Sequence, residues 1–136
     1  MPNVIDVSVM ANWHFFDERE PKALAILKEL EDGKETALVP EIWWFEVHHV
    51  LLRGERRKRT TQLLVEQFLA LLRTLPITIA PNPEADTILS LSRLHHLTFY
   101  DAAYLELALR RQIPLATLDQ ALARAAAAEG VPLIGA

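Results

Sequence analysis

Cysteine is absent. That removes disulfides and thiolate chemistry together and leaves a fold that does not depend on an oxidising compartment. Glycine is scarce, with four in 136 residues, and no phosphate-cradling loop, Gly-x-Ser-x-Gly elbow or dinucleotide fingerprint can be assembled from them. No apolar run approaches the ~20 residues of a membrane helix. The opening Met1-Pro2-Asn3-Val4-Ile5-Asp6 lacks the basic-then-apolar order of a signal peptide. The expectation is a cytoplasmic protein without a membrane partner. Nothing resembles His-Glu-x-x-His. The pairs His48-His49 and His95-His96 place helical neighbours about 100° apart, a poor arrangement for chelating one ion, and without thiolates a structural zinc site has little to hold it. A surplus of positive charge is also missing: the net charge of −4 does not advertise a nucleic-acid binder.

What is present is a core. A hydrophobic fraction of 51% with three Trp argues against disorder, and 136 residues suffice for one domain, residues 1–136. Short apolar stretches at Asn3–Val7, Thr36–Val39, Ile77–Ala80, Leu115–Leu118 and Val131–Ile134 alternate with helical patterns. No hairpin signal separates them. This predicts a three-layer α/β/α fold with a mostly parallel central sheet of about five short strands, covered on both faces.

The most informative stretch is Thr98 to Asp119. Thr98 suits an N-cap, with Asp101 three residues on as in a capping box, and Ala and Leu carry a helix from Phe99 to Arg111. Gln112-Ile113-Pro114 ends it, an apolar strand follows, and Asp119 stands where that strand must stop. Asp6 occupies the same position after the first strand, with Ser8 expected to cap the following helix. Glu46 falls one turn into an apolar helix expected from Pro40 to about Arg53, on a stripe shared with His49 and Arg53.

If the strands are parallel, Asp6, Glu46, Asp101 and Asp119 collect at the sheet's carboxyl edge, where such folds place ligands. Taken singly, each Asp reads first as a helix cap, and Glu46 as half of an internal ion pair or hydrogen bond, with His49 as its partner. Taken together, buried like charges repel and resist desolvation, and a hard divalent cation, Mg²⁺ or Mn²⁺, resolves the conflict. Such an ion can polarise a phosphoryl group and activate water. Two other readings stay open: a non-catalytic module that binds RNA or protein, and an aspartyl-phosphate chemistry at Asp6-Val7-Ser8. Arg53, Arg56, Arg57, Lys58 and Arg59 form either a solvated helix corner or a phosphate-steering patch.

The residues Val4-Ile5-Asp6-Val7-Ser8, Pro40 with Glu46-Val47, Tyr100-Asp101-Ala102-Ala103-Tyr104-Leu105, and Leu115-Ala116-Thr117-Leu118-Asp119, in that order across nearly the whole chain, resemble the PIN-domain ribonucleases. Within that family they resemble the VapC-like toxins of toxin–antitoxin pairs. The resemblance implies a metal-dependent endoribonuclease hydrolysing RNA phosphodiesters, a homodimer, and a small antitoxin that inserts into the active-site groove. It further implies that Asp6, Glu46, Asp101 and Asp119 hold Mg²⁺ or Mn²⁺, supported by the hydroxyls of Ser8 and Thr117. Many members carry Asn three residues after the second acid; His49 stands there in this chain and introduces a pH-sensitive group. His49 and Arg53 are expected at the mouth of the site, in reach of phosphate.

Overall fold

A computed structural model describes residues 2–134. Four short strands, β1 (Pro2–Ile5), β2 (Thr36–Val39), β3 (Ile77–Ile79) and β4 (Leu115–Ala116), pair in the order β3-β2-β1-β4, every neighbour parallel. The helices are α1 (Val7–His14), α2 (Pro21–Glu31), α3 (Trp43–Arg56), α4 (Gln62–Thr74), α5 (Ala85–His95), α6 (Phe99–Arg111) and α7 (Gln120–Ala128), with a 3₁₀ turn at Phe16–Glu18. The sheet is PIN-like, with one strand fewer than expected. The segment read as a fifth strand contributes a single parallel bridge, Leu115 to Leu133.

The strand order fixes the layers. From β1 the chain steps outward to β2 and β3, then returns across the sheet to place β4 on the other side of β1. Parallel crossovers are right-handed, so the reversal sends α5 and α6 to the face opposite α1 to α4. α1 packs on α2 and α3, whereas α6 packs on α5, α7 and β1. The gap between β1 and β4 is therefore the switch point at which doubly covered sheets open a crevice.

The two central helices are buried for different reasons. In α6 the run Ala102 to Ala108 is buried throughout, since small and straight-chain residues let the helix lie close on β1. In α3, Trp43, Val47, Leu51 and Gly54 form the inward stripe. α3 starts at Trp43 rather than Pro40, because Pro40, Glu41 and Ile42 form the turn off β2. Gly54 is needed for closeness: a Cβ there would stand 2.6 Å from the Phe15 ring and 3.3 Å from Thr60. Phe15 is buried and has the Arg59 guanidinium 4.3 Å over its face, so the ring has little freedom to yield. Gly54→Ala is expected to destabilise the fold by about 1–3 kcal/mol through overpacking, measured as a lower urea midpoint with an unchanged slope.

Candidate functional site

The site is built where β1 and β4 end side by side. Ile5 pairs with Ala116, and the Asp6 backbone N–H donates to the Ala116 carbonyl at 3.1 Å. Beyond that bond the ladder gives way to side chains. Asp6, not Ser8, caps α1: its Oδ1 accepts from the backbone N–H of Ser8 (3.1 Å) and of Val9 (3.4 Å). The Ser8 hydroxyl donates to the same oxygen at 2.5 Å while accepting from the Leu118 backbone N–H at 2.9 Å. Across the crevice, the Thr117 hydroxyl donates to Asp6 Oδ2 and accepts from the Asp119 N–H at 3.0 Å. Asp119 then caps α7 through the Leu122 N–H at 2.8 Å. Asp6, Ser8, Thr117 and Asp119 thus form one hydrogen-bonded seam. Both strands end sooner than sequence implies because this seam takes over the backbone groups that a longer ladder would have used.

Asp101 approaches from α6 as the third residue of its first turn, its N–H held by the Thr98 hydroxyl at 3.0 Å. Glu46 comes from the first turn of α3, and the Tyr104 hydroxyl donates to its Oε1 at 2.6 Å. Four helix N-termini therefore aim their positive ends toward the acids.

Even so, Asp6, Glu46 and Asp101 hold their protons unusually tightly. Asp6, only 3% exposed, is pushed up to about 6 by burial, against the hydrogen bonds from Ser8, Thr117 and Val9, with a further push from the Asp101 charge. Glu46 is raised by burial and by Asp101, opposed by Tyr104 and by nearby His49. Asp101 is raised by burial and by Asp119, opposed by the Thr98 hydroxyl. Asp101 is thus the charge that couples to all three of the others. Among the described residues, no three His, Cys, Asp or Glu side chains stand close enough together to make a ready metal cage. The donor set nevertheless fits a hard cation: all-oxygen carboxylates, short of positive charge. Mg²⁺ characteristically takes one or two carboxylates and keeps several waters.

The supporting residues divide. Ser8 and Thr117 lie on the seam. His49, exposed on α3, is within electrostatic reach of Glu46. Arg53 lies about 10 Å along α3 from Glu46 at 1.5 Å per residue and lines a separate recess with Arg57 and Arg59. Arg59 is committed to the scaffold, bonding Asp17 at 3.0 Å and Glu18 at 2.9 Å over Phe15, so it is not part of a free basic patch. A recess of about 710 Å³ opens off the seam, lined by Ser8, Asn12, Lys22, Thr117, Asp119 and Gln120 among others.

Tyr104 is the site residue that its sequence position did not single out. It is 0% exposed, and burial together with the Glu46 charge drives its proton affinity far above the ordinary phenol range. It therefore stays a donor and fixes Glu46 to α6. Only the fold reveals this, since the two residues are 58 apart. Tyr104→Phe is expected to destabilise by about 1–2 kcal/mol, the range for a hydrogen bond to a charged group, and to move the Glu46 pKa further up. Urea denaturation and a carboxyl NMR titration read the two effects.

Comparison with known proteins agrees with this architecture. The PIN-domain family model matches residues 4–128. The chain belongs to the PIN-domain family. Solved structures share the fold at low identity. PAE2754 from Pyrobaculum aerophilum superposes with a TM-score of 0.72 at 17% identity, covering 92% of this chain and 84% of that one. VapC20 of Mycobacterium tuberculosis, a sarcin–ricin loop cleaving toxin, gives 0.63 at 14%, covering 90% and 94%. A toxin–antitoxin complex from Klebsiella pneumoniae gives 0.56 at 17%, covering 86% of each. Comparison with curated protein sequences gives no match.

Proposed function

We propose that this PIN domain is a Mg²⁺- or Mn²⁺-dependent endoribonuclease that hydrolyses RNA phosphodiester bonds, acting as the toxin of a toxin–antitoxin pair. The observation that carries the reading is the mutual coupling of Asp6, Glu46, Asp101 and Asp119 around the β1/β4 switch point, which runs through Asp101. Asp6 and Asp101 would be the principal metal-holding residues, and Glu46 and Asp119 would complete the oxygen donor set. When bound, the cation neutralises charge on the scissile phosphate and makes water a better nucleophile. The chain's own residues do the positioning. Ser8 and Thr117 keep both Asp6 oxygens oriented by hydrogen bonds, Tyr104 occupies one Glu46 oxygen and leaves the other for the site, and His49 stands within reach of a phosphate oxygen. Arg53, Arg56 and Arg57, exposed at the end of α3, steer the polyanion locally within an acidic protein.

The toxin reading draws on the described activity of VapC20 and on the Klebsiella pneumoniae complex. With it come a small antitoxin as partner, a homodimer and a cytoplasmic setting. No helix among the described residues is long and apolar enough to cross a membrane. A second reading, a non-catalytic PIN-like module that binds RNA or protein, draws on the open spacing of the acids.

Cleavage of a panel of tRNAs and single-stranded RNAs, with Mg²⁺ or Mn²⁺ against EDTA, tests the proposal. Discrete products that vanish in EDTA support the nuclease. RNA binding that neither needs metal nor leads to cleavage supports the second reading.

A further inference from the structure

We propose that Phe45, Phe99 and Tyr100 form a stacking platform for one unpaired base of the RNA, immediately beside the acids. This rests on the ribonuclease reading above and names the form of substrate that its site prefers.

Four aromatic side chains are exposed among the described residues, and three of them gather here: Phe45 at 77%, Tyr100 at 55% and Phe99 at 40%. They line one recess of about 270 Å³ between the start of α3 and the start of α6, floored by Ile42, Ile88 and Ala103. Phe45 directly precedes Glu46, and Tyr100 directly precedes Asp101. An RNA strand whose phosphate lies at the acids therefore brings a neighbouring nucleotide over the rings.

The chemistry of the recess selects a base over a phosphate. Its one charged lining residue among the described residues is Glu41, which repels phosphate but can accept a hydrogen bond from a base amino group. Exposed rings bind unstacked bases of any sequence, because every base has a π face. The backbone has its own track. Phe45, His49, Arg53 and Arg56 fall at i, i+4, i+8 and i+11 on one exposed face of α3, so the platform continues into cations about 12–17 Å along the helix axis. Rings joined to a basic track form the usual arrangement for single-stranded nucleic acid. The remaining exposed aromatic, Phe16, lines a different recess with Trp13, Phe68 and Leu71, and none of the four acids lines that recess.

A base paired inside an A-form duplex keeps its stacking neighbours and cannot enter. The platform thus predicts a preference for loops, bulges and single strands.

The test titrates the full chain, carrying Asp101→Asn to prevent cleavage, with a single-stranded RNA containing 2-aminopurine and with a matched duplex. Quenching of the probe on binding is expected. Phe45→Ala and Tyr100→Ala should each weaken single-strand binding about tenfold, leave duplex binding within twofold, and leave the sedimentation mass unchanged. Tyr100→Phe should bind as the parent does. Both residues are exposed, and circular dichroism and urea midpoints verify that the variants are folded. Unchanged single-strand affinity in both Ala variants overturns the platform while leaving the nuclease intact. A change in sedimentation mass without a change in RNA affinity assigns the face to a protein partner and also overturns it. A parent that binds no RNA and, as wild type with Mg²⁺, cuts none removes the ribonuclease reading itself.

Discussion

Asp101→Asn lowers the metal-dependent cleavage rate by on the order of 10²–10³-fold or more, the scale seen when one preorganised charge-stabilising group is removed from an active centre, while the fold persists. The position explains both halves of this expectation. Asp101 couples to Asp6, to Glu46 and to Asp119, so under the proposed reading its loss weakens the field of all three remaining acids. Its structural part is played by the backbone, whose N–H meets the Thr98 hydroxyl, and Asn keeps that N–H. Proton affinities at Asp6 and Glu46 should fall a little once the neighbouring charge is gone and stay raised by burial, the larger cause. Single-turnover cleavage of the best RNA substrate at saturating Mg²⁺ measures the rate, and thermal melting with and without Mg²⁺ should show the stabilisation by metal lost in the variant. Cleavage retained at wild-type rate in a preparation free of contaminating nuclease would remove Asp101 from the mechanism.

The second large effect concerns stability and has the opposite sign from most substitutions of a buried, hydrogen-bonded residue. An unfolded Asp6 carboxyl titrates near 3.8, and the folded one near 6. Between those values the folded state binds more protons than the unfolded state, so the stability of the metal-free protein falls as pH rises through the window. Below about pH 4 both forms are protonated and there is no loss. Above about pH 6 the loss is complete, and a shift of about two units corresponds to ~3 kcal/mol. Asp6→Asn removes the ionisation and keeps an oxygen to cap α1, since Asn and Asp are equally good at that position. The variant should be about 1–3 kcal/mol more stable than wild type at pH 7.5 in EDTA, and the two should converge near pH 4. Urea denaturation across pH 4 to 8 in EDTA measures this; a wild type that is no less stable than the variant at pH 7.5 would sink it. Added Mg²⁺ should raise the wild type and leave Asp6→Asn nearly unmoved. Function and stability thus pull against each other at a single carboxylate.

Much of this architecture is legible in the chain. The helix Phe99–Arg111 has the bounds expected from its Thr cap and its Ala/Leu run, because nothing tertiary competes with such strong local preferences. The seam of the site is where local reading fails. Asp6 and Ser8 are both good capping residues two positions apart, and propensity cannot choose between them. The choice falls to Asp6 because Ser8 is drawn to the Leu118 N–H, 110 residues away. Leu115–Leu118 reads as a four-residue strand, yet Thr117 and Leu118 give their polar groups to the seam, and only Leu115–Ala116 pairs. The terminal Val131–Ile134 has strand composition but makes one bridge, since β4 is too short to offer more. Arg59 belongs by sequence to a basic run, whereas its partners Asp17 and Glu18 lie over 40 residues earlier. The capping reading of Asp6 and Asp119 holds: each carboxylate caps a helix.

The pairing of the first strand with the last also has a consequence in time. Thr117 and Asp119, which orient Asp6 and complete the acid set, follow it by more than 110 positions. Ribosomes synthesise a chain from its amino end, so every nascent chain stopping short of β4 carries Asp6 with Ser8 and Val9 but without Thr117 and Asp119. Under the toxin reading the activity then switches on only once the chain has been made through Asp119.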